Sequence, residues 1–323
     1  MNGRLEAELK IEEKINNKLK ELPYIFTEFY YYLKANKSLN TIVRYIGYVE
    51  DFMIYVTDGN PDNDFYKNIK VSEIRKYISS LSKKVVDGQI VRMGPEMQAT
   101  RWSALNTFFR FLIMDEYITE NPMIKTERPK TNVQHNIVYL EPNEIDAVLN
   151  NIEETANSRL KNRDLCIVSL ALSTGLRISA ISQTNIEDIN FENNTIHVIE
   201  KEELHRDIQF GTKMRGLLLS WIKDRELYFD GKESGPLFIS QHKKRLSNDA
   251  IRDIVDKYTA ILGRHVKVHD LRKSTATNLA KQGVDIRTIQ TILGHQNITT
   301  TQRYISACEE SQSNAVNILD KLI

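Results

Sequence analysis

The chain has 323 residues, 41% hydrophobic and 27% charged, long enough for about two domains and apolar enough for a core, which excludes a mainly disordered chain, a fibre or a mini-protein. Net charge is +1, with 20 basic against 18 acidic residues in 1–136 and 24 against 25 in 137–323, so any basic surface must come from segregation of charge onto one face. Two cysteines, Cys166 and Cys308, exclude a disulfide framework and a four-cysteine zinc site.

The elements follow in chain order. Residues 1–21 pattern as a charged amphipathic helix with Leu5, Leu9, Ile11, Ile15 and Leu19 among Glu and Lys. Residues 24–35 are rich in aromatics at helical spacing, which favours core over a platform for stacking. Ser38 is placed to cap a helix running to about Val56, with Ile42, Tyr45, Val49 and Phe52 on one face. Asp58-Gly59-Asn60-Pro61-Asp62 reads as a loop, and Ser72 as the start of a helix to about Ser82. A further pattern runs from Gly94 to Asp115, and Asn121-Pro122 closes the segment after it. Residues 1–123 are therefore predicted to be a bundle of four or five helices, and the polar, basic stretch 124–138 a linker.

The second domain, 139–323, opens at Leu140-Glu141-Pro142, with Pro142 in a first helical turn. Helices are predicted at about 142–150, 159–173, 177–182, 212–228, 247–260, 270–282 and 285–293. Ile196 to Ile199 and Ile208 to Phe210 alternate around the charged run Glu200–Arg206, as in a short hairpin or a three-stranded sheet. The fold class is thus mainly α: a helical bundle followed by a mostly helical domain with a small antiparallel sheet. Few glycines and prolines, 13 and seven, agree with that. No signal-like segment opens the chain and its longest apolar run, Cys166 to Leu172, is too short to span a bilayer, so a cytoplasmic protein with no membrane partner is expected.

Four local features carry chemistry. Thr174-Gly175-Leu176-Arg177 sets an arginine just past a glycine turn. His269-Asp270-Leu271-Arg272 puts His and Arg on one helix face. Leu293-Gly294-His295 puts a histidine at a helix end, and Tyr304 follows nine residues later. Each alone is weak: a lone helical Arg is usually a surface charge, and Gly-His is usually a helix terminus.

In this order the set resembles the tyrosine recombinase (phage integrase) family, whose ordered residues are Arg, Lys, His-x-x-Arg, His or Trp, and Tyr. They fall here on Arg177, Lys201, His269, Arg272, His295 and Tyr304. Lys201 lies in the charged run, as the family's lysine lies between two strands. Phe108-Phe109-Arg110-Phe111-Leu112 with Asn121-Pro122 resembles the end of the family's N-terminal core-binding domain, and Ser38 to Phe52 its opening helix. The match departs at Ala180, where the family carries an acid that orients catalytic neighbours.

The resemblance implies cleavage and rejoining of double-stranded DNA through a 3′-phosphotyrosine. Arg177 and Arg272 would clamp the phosphate, His269 would take the Tyr304 proton, Lys201 would protonate the leaving 5′ oxygen, and His295 would donate a hydrogen bond. No carboxylate cluster has metal-binding spacing, and no metal or cofactor is expected. DNA contacts are expected from Lys125, Arg128 and Lys130 on the linker, from Lys243, Lys244 and Arg245, and from Arg264, Lys267 and Lys273 around His269. Only about 20 residues precede the aromatic helix, which leaves no room for an added arm-binding domain and points to short inverted half-sites. A homodimer per site, a homotetramer in the synapse, and an accessory DNA-bending or directionality factor are the implied partners. Ala315, Ile318, Leu319 and Leu322 form an apolar stripe that the family would dock into a neighbouring protomer. Integration or excision of a mobile element and dimer resolution both remain open as roles. So do a type IB topoisomerase, and a cleavage-impaired DNA-binding regulator suggested by Ala180.

Overall fold

The structure is a computed structural model that describes residues 3–60, 62–82, 84–86, 89–91, 93–131, 138–199, 204–229, 235–294 and 302. The chain divides into two compact units, Met1–Gln134 and His135–Ile323. Lys201, His295, Tyr304 and the apolar stripe after it lie outside the described residues.

The first unit contains α1 (Gly3–Leu19), α2 (Ile25–Lys34), α3 (Leu39–Val56), α4 (Val71–Ser80), a short antiparallel pair β1 (Lys84–Val86) and β2 (Gln89–Val91), and α5 (Pro95–Met114). The aromatic run does build core: Phe26, Phe29, Phe52, Phe108, Phe109 and Phe111 are fully buried. Phe108 sits edge-on to Phe29 at 5.1 Å and stacked with Phe65 at 5.8 Å, geometries that add to plain area burial. Tyr24 and Tyr31, on the other face of α2, remain exposed.

Three local expectations change. Ser38 has the extended conformation of a cap, yet its hydroxyl bonds the Thr41 hydroxyl at 3.0 Å and not a backbone N–H. Helix α4 begins at Val71, because Glu73 reaches back to accept from the Lys70 N–H at 2.7 Å; Ser72 is inside the first turn. The β1–β2 pair interrupts what the sequence presents as an all-helical bundle.

The second unit contains α6 (Pro142–Thr155), α7 (Lys161–Thr174), α8 (Ile178–Gln183), β3 (Ile189–Asn190), β4 (Thr195–Ile199), β5 (His205–Gln209), α9 (Thr212–Phe229), α10 (Asn248–Thr259), α11 (Val268–Lys281) and α12 (Ile286–Leu293). The architecture is mainly α with a three-stranded antiparallel sheet in the order β3-β4-β5. Helix α7 is apolar nearly all round, with Leu165, Cys166, Ile167, Val168, Leu170 and Ala171 buried, so it takes the centre of the unit and packs against α6, α9 and α11. Burial raises the Cys166 thiol well above its ordinary pKa, which makes it a packing residue.

The segment entering this unit is strapped onto α11. Ser274 accepts from the Leu140 N–H at 2.8 Å, Asn278 donates to the Leu140 carbonyl at 3.0 Å, and Lys281 pairs with Glu141 at 2.7 Å. Arg264 adds a bond to the Tyr139 carbonyl and an ion pair with Glu144.

Candidate functional site

Helix α7 ends where Gly175 adopts the left-handed conformation, φ +63°, as its C-cap. A side chain is excluded there twice over, since a Cβ would stand 2.5 Å from the Leu293 side chain. The turn continues through buried Leu176 to Arg177, the extended N-cap residue of α8, whose side chain is half-buried.

His269 and Arg272 sit in the first turns of α11, whose start is fixed by Asp270 accepting from the Lys267 N–H at 2.9 Å. Arg272 is 2% exposed. Its guanidinium donates to the carbonyls of Gly175 and Leu293, joining the Arg177 turn to the end of the helix that leads into Gly294-His295. His269 is exposed, and its pKa is lowered. Desolvation by the protein around the ring is the main cause; Lys273, Arg272 and Arg177 repel the proton further, and Asp270 partly offsets them. Arg177, His269 and Arg272 are thus brought together.

Lys201 follows Ile199, the last residue of β4, by two positions; Ile199 pairs with His205 at the start of β5. Within the sheet His197 bonds Asp207 at 2.7 Å and His205 at 3.1 Å on the exposed face. On the opposite face Arg206 donates to the carbonyls of Thr291 at 2.6 Å and Ile292 at 2.9 Å. Helix α12 ends at Gly294, also left-handed at φ +63°. Sequence patterning did not single out Arg206. The available signal was its parity with buried Ile208 and its pairing with buried Val198, which put a cation on an inward face.

The candidate DNA contacts divide. Lys125, Arg128 and Lys130 are exposed in the first unit, and the Lys125 carbonyl accepts from Arg75 at 2.8 Å. Lys243 and Lys244 are exposed at the tip of a tight turn in which Ser240 donates to the Lys244 carbonyl at 2.8 Å. Arg245 does not join them. Its bridge with Ile239 turns the side chain inward, where it donates to the Ser182 carbonyl at 2.9 Å and to Asn185, capping α8. Arg264 is likewise occupied with Glu144 and Tyr139. Lys267 is exposed, and Lys273 is partly buried against Asp270 at 2.6 Å. Ala180 is 5% exposed, within the hydrophobic core of the second unit. Among the described residues no cluster could hold a metal ion, and no helix is long and apolar enough to cross a membrane.

Residues 138–310 match the profile described as "Phage integrase family". A tyrosine recombinase XerC of Caldanaerobacter subterraneus subsp. tengcongensis is 28% identical over 315 residues, 95% of this chain and 82% of that protein. A tyrosine recombinase XerD of Staphylococcus epidermidis is 27% identical over 290 residues, covering 87% and 92%. Among solved structures, the XerH site-specific recombinase bound to a palindromic difH substrate, in a post-cleavage complex, is similar in fold, with a TM-score of 0.69 at 20% identity over 87% of this chain and 80% of that one.

Proposed function

Because the chain belongs to the phage integrase family, we propose that it is a site-specific DNA recombinase with Tyr304 as nucleophile. The observation that carries this reading is the grouping of Arg177, His269 and Arg272, two cations and a proton acceptor where a phosphate would sit.

The chemistry follows from those groups. A free phenol has a pKa of about 10 and must lose its proton during attack. His269, its pKa lowered, is neutral at pH 7 and suited to receive that proton. The Tyr304 oxygen bonds phosphorus as the bond from phosphorus to the 5′ oxygen breaks. The leaving oxygen keeps its electron pair and takes a proton from Lys201. Arg177 and Arg272 balance the charge on the non-bridging oxygens, with His295 adding a donor; such preorganised donors are worth roughly 3–4 kcal/mol each. The phosphotyrosine keeps the energy of the broken diester, and a 5′ hydroxyl from a second strand reverses the step. Arg272 acts from beneath, holding two turns of the site while facing the phosphate.

In this reading residues 1–123 bind the core of the DNA site, 124–138 link, and 139–323 cleave. The target is a pair of inverted half-sites, each pair holding a homodimer, and two pairs form a tetrameric synapse, with room for an accessory bending or directionality factor. Palindromy of the DNA on the XerH neighbour supports inverted half-sites here. Mobile-element movement and dimer resolution are both compatible with it.

The test is covalent trapping on a nicked suicide duplex that binds the chain, in EDTA. The expected result is a denaturant-stable protein–DNA band absent from Tyr304→Phe. One observation favours a second reading: buried Ala180 replaces the family's acid. Specific binding with no band from the wild-type chain would mean that the missing acid disables cleavage, which is the reading of a cleavage-impaired DNA-binding regulator, or that a partner must complete the site.

A further inference from the structure

We infer that Arg206 is a positioning residue for cleavage: it fixes the hairpin that carries Lys201 onto the end of the helix that leads into His295. The inference rests on the reading of Lys201 as the proton donor.

Residues far apart in sequence meet here. Arg206 is the second residue of β5, paired with Val198 of β4, and its acceptors Thr291 and Ile292 lie 85 and 86 positions further on. A desolvated guanidinium on an inward strand face is costly unless strong acceptors meet it. The C-terminus of α12 supplies them, since the last carbonyls of a helix lack helical partners and carry its partial negative charge. All four terminal carbonyls are satisfied. Gln290 and Thr291 accept from the Gly294 N–H, Thr291 and Ile292 from Arg206, and Leu293 from Arg272. The same helix end is therefore grasped from two sides, by the α11 arginine of the His269 group and by the hairpin.

The sheet itself holds this hairpin mainly at its other end. Strand β3 pairs Ile189 with Ile196 and Asn190 with Thr195, and among the described residues the Val198–Arg206 level has no third strand beside it. Lys201 follows Val198 by three positions in the sequence. Arg206 is the residue that ties the β4–β5 pair to the end of α12. Loss of the anchor would leave the β4–β5 pair held less firmly against α12, and a misplacement of about 1 Å in a reacting group is worth about a hundredfold in rate.

A sulfur leaving group separates this role from others. A thiolate departs without a proton, so a 5′-bridging phosphorothiolate removes the need for Lys201 but not for the phosphate clamp or the nucleophile. The probe is a duplex selected from a random-sequence pool by the wild-type chain, resynthesised with oxygen or sulfur at the mapped cleavage position. Single-turnover adduct rates would be measured for the wild type, Lys201→Ala, Arg206→Gln and Arg206→Lys. On oxygen, Arg206→Gln is expected to be slowed about 10- to 100-fold and Arg206→Lys less. On sulfur, both should recover to within about threefold of wild type, as Lys201→Ala should. Arg206→Lys keeps a cation at the helix end and provides the same readout if glutamine disrupts folding. An equal defect on both substrates, with Lys201→Ala recovered, overturns the proposal, as does wild-type speed on oxygen. Failure of Lys201→Ala to recover removes Lys201 as proton donor, and the proposal about Arg206 falls with it.

Discussion

His269 titrates in a field of three cations, and that field has consequences for both stability and rate. Its folded pKa lies below the ordinary imidazole value of about 6.5. Between the two values the unfolded chain binds more protons at this site, so this contribution to stability rises with pH through the window and is complete above about 6.5. Acidification through the same window costs stability. Cleavage should show an acid limb below about 6.5, where His269 gains a proton and can no longer accept one. Replacing Lys273 with Ala removes a repelling cation and releases Asp270, so the limb should move to higher pH. A pH profile of single-turnover cleavage measures it, and an unmoved limb would assign the titration to another group. At Gly175, substitution by Ala meets both a left-handed backbone and the Leu293 side chain. The expected cost is about 1–3 kcal/mol, read as a lower midpoint in thermal unfolding.

Helix ends explain which parts of the site the sequence displays. Gly175 and Gly294 announce the ends of α7 and α12, and the hydrophobic periods of α5, α9, α10 and α12 were legible to within about two residues, because burial of one face dictates them. What was not legible is how arginines are shared among helix termini. Arg245 has the same local sequence signature as Lys243 and Lys244, a basic run in a loop, yet a backbone bridge separates one from the other two. The β1–β2 pair was missed because three-residue strands carry too little periodicity to stand out. Arg245 and Lys244 therefore make a paired test. Arg245→Ala should lower the unfolding midpoint by a few degrees and leave the salt slope of DNA binding unchanged, since its guanidinium caps α8. Lys244→Ala should leave the midpoint in place and reduce the magnitude of the log–log salt slope by about 1 if it neutralises a phosphate. The reverse pattern would return Arg245 to the DNA surface.

For the whole molecule, the near-neutral net charge means that DNA affinity has to come from local patches. Deleting residues 312–323 removes the apolar stripe of Ala315, Ile318, Leu319 and Leu322. Recombination between two sites should be lost while gel-shift affinity for a single site survives; unchanged recombination would assign the stripe to packing within its own domain. The strap across α11 also decides where the chain can be divided in the laboratory. A C-terminal fragment starting at Val138 retains every partner of Ser274, Asn278 and Lys281 described above. One trimmed to the first helical residue, Pro142, leaves the helix bearing His269 and Arg272 with unmet donors and acceptors along one side. Tyr139, Leu140 and Glu141, which precede the first helix of the unit, are in the folded chain part of the wall behind the helix that bears His269 and Arg272.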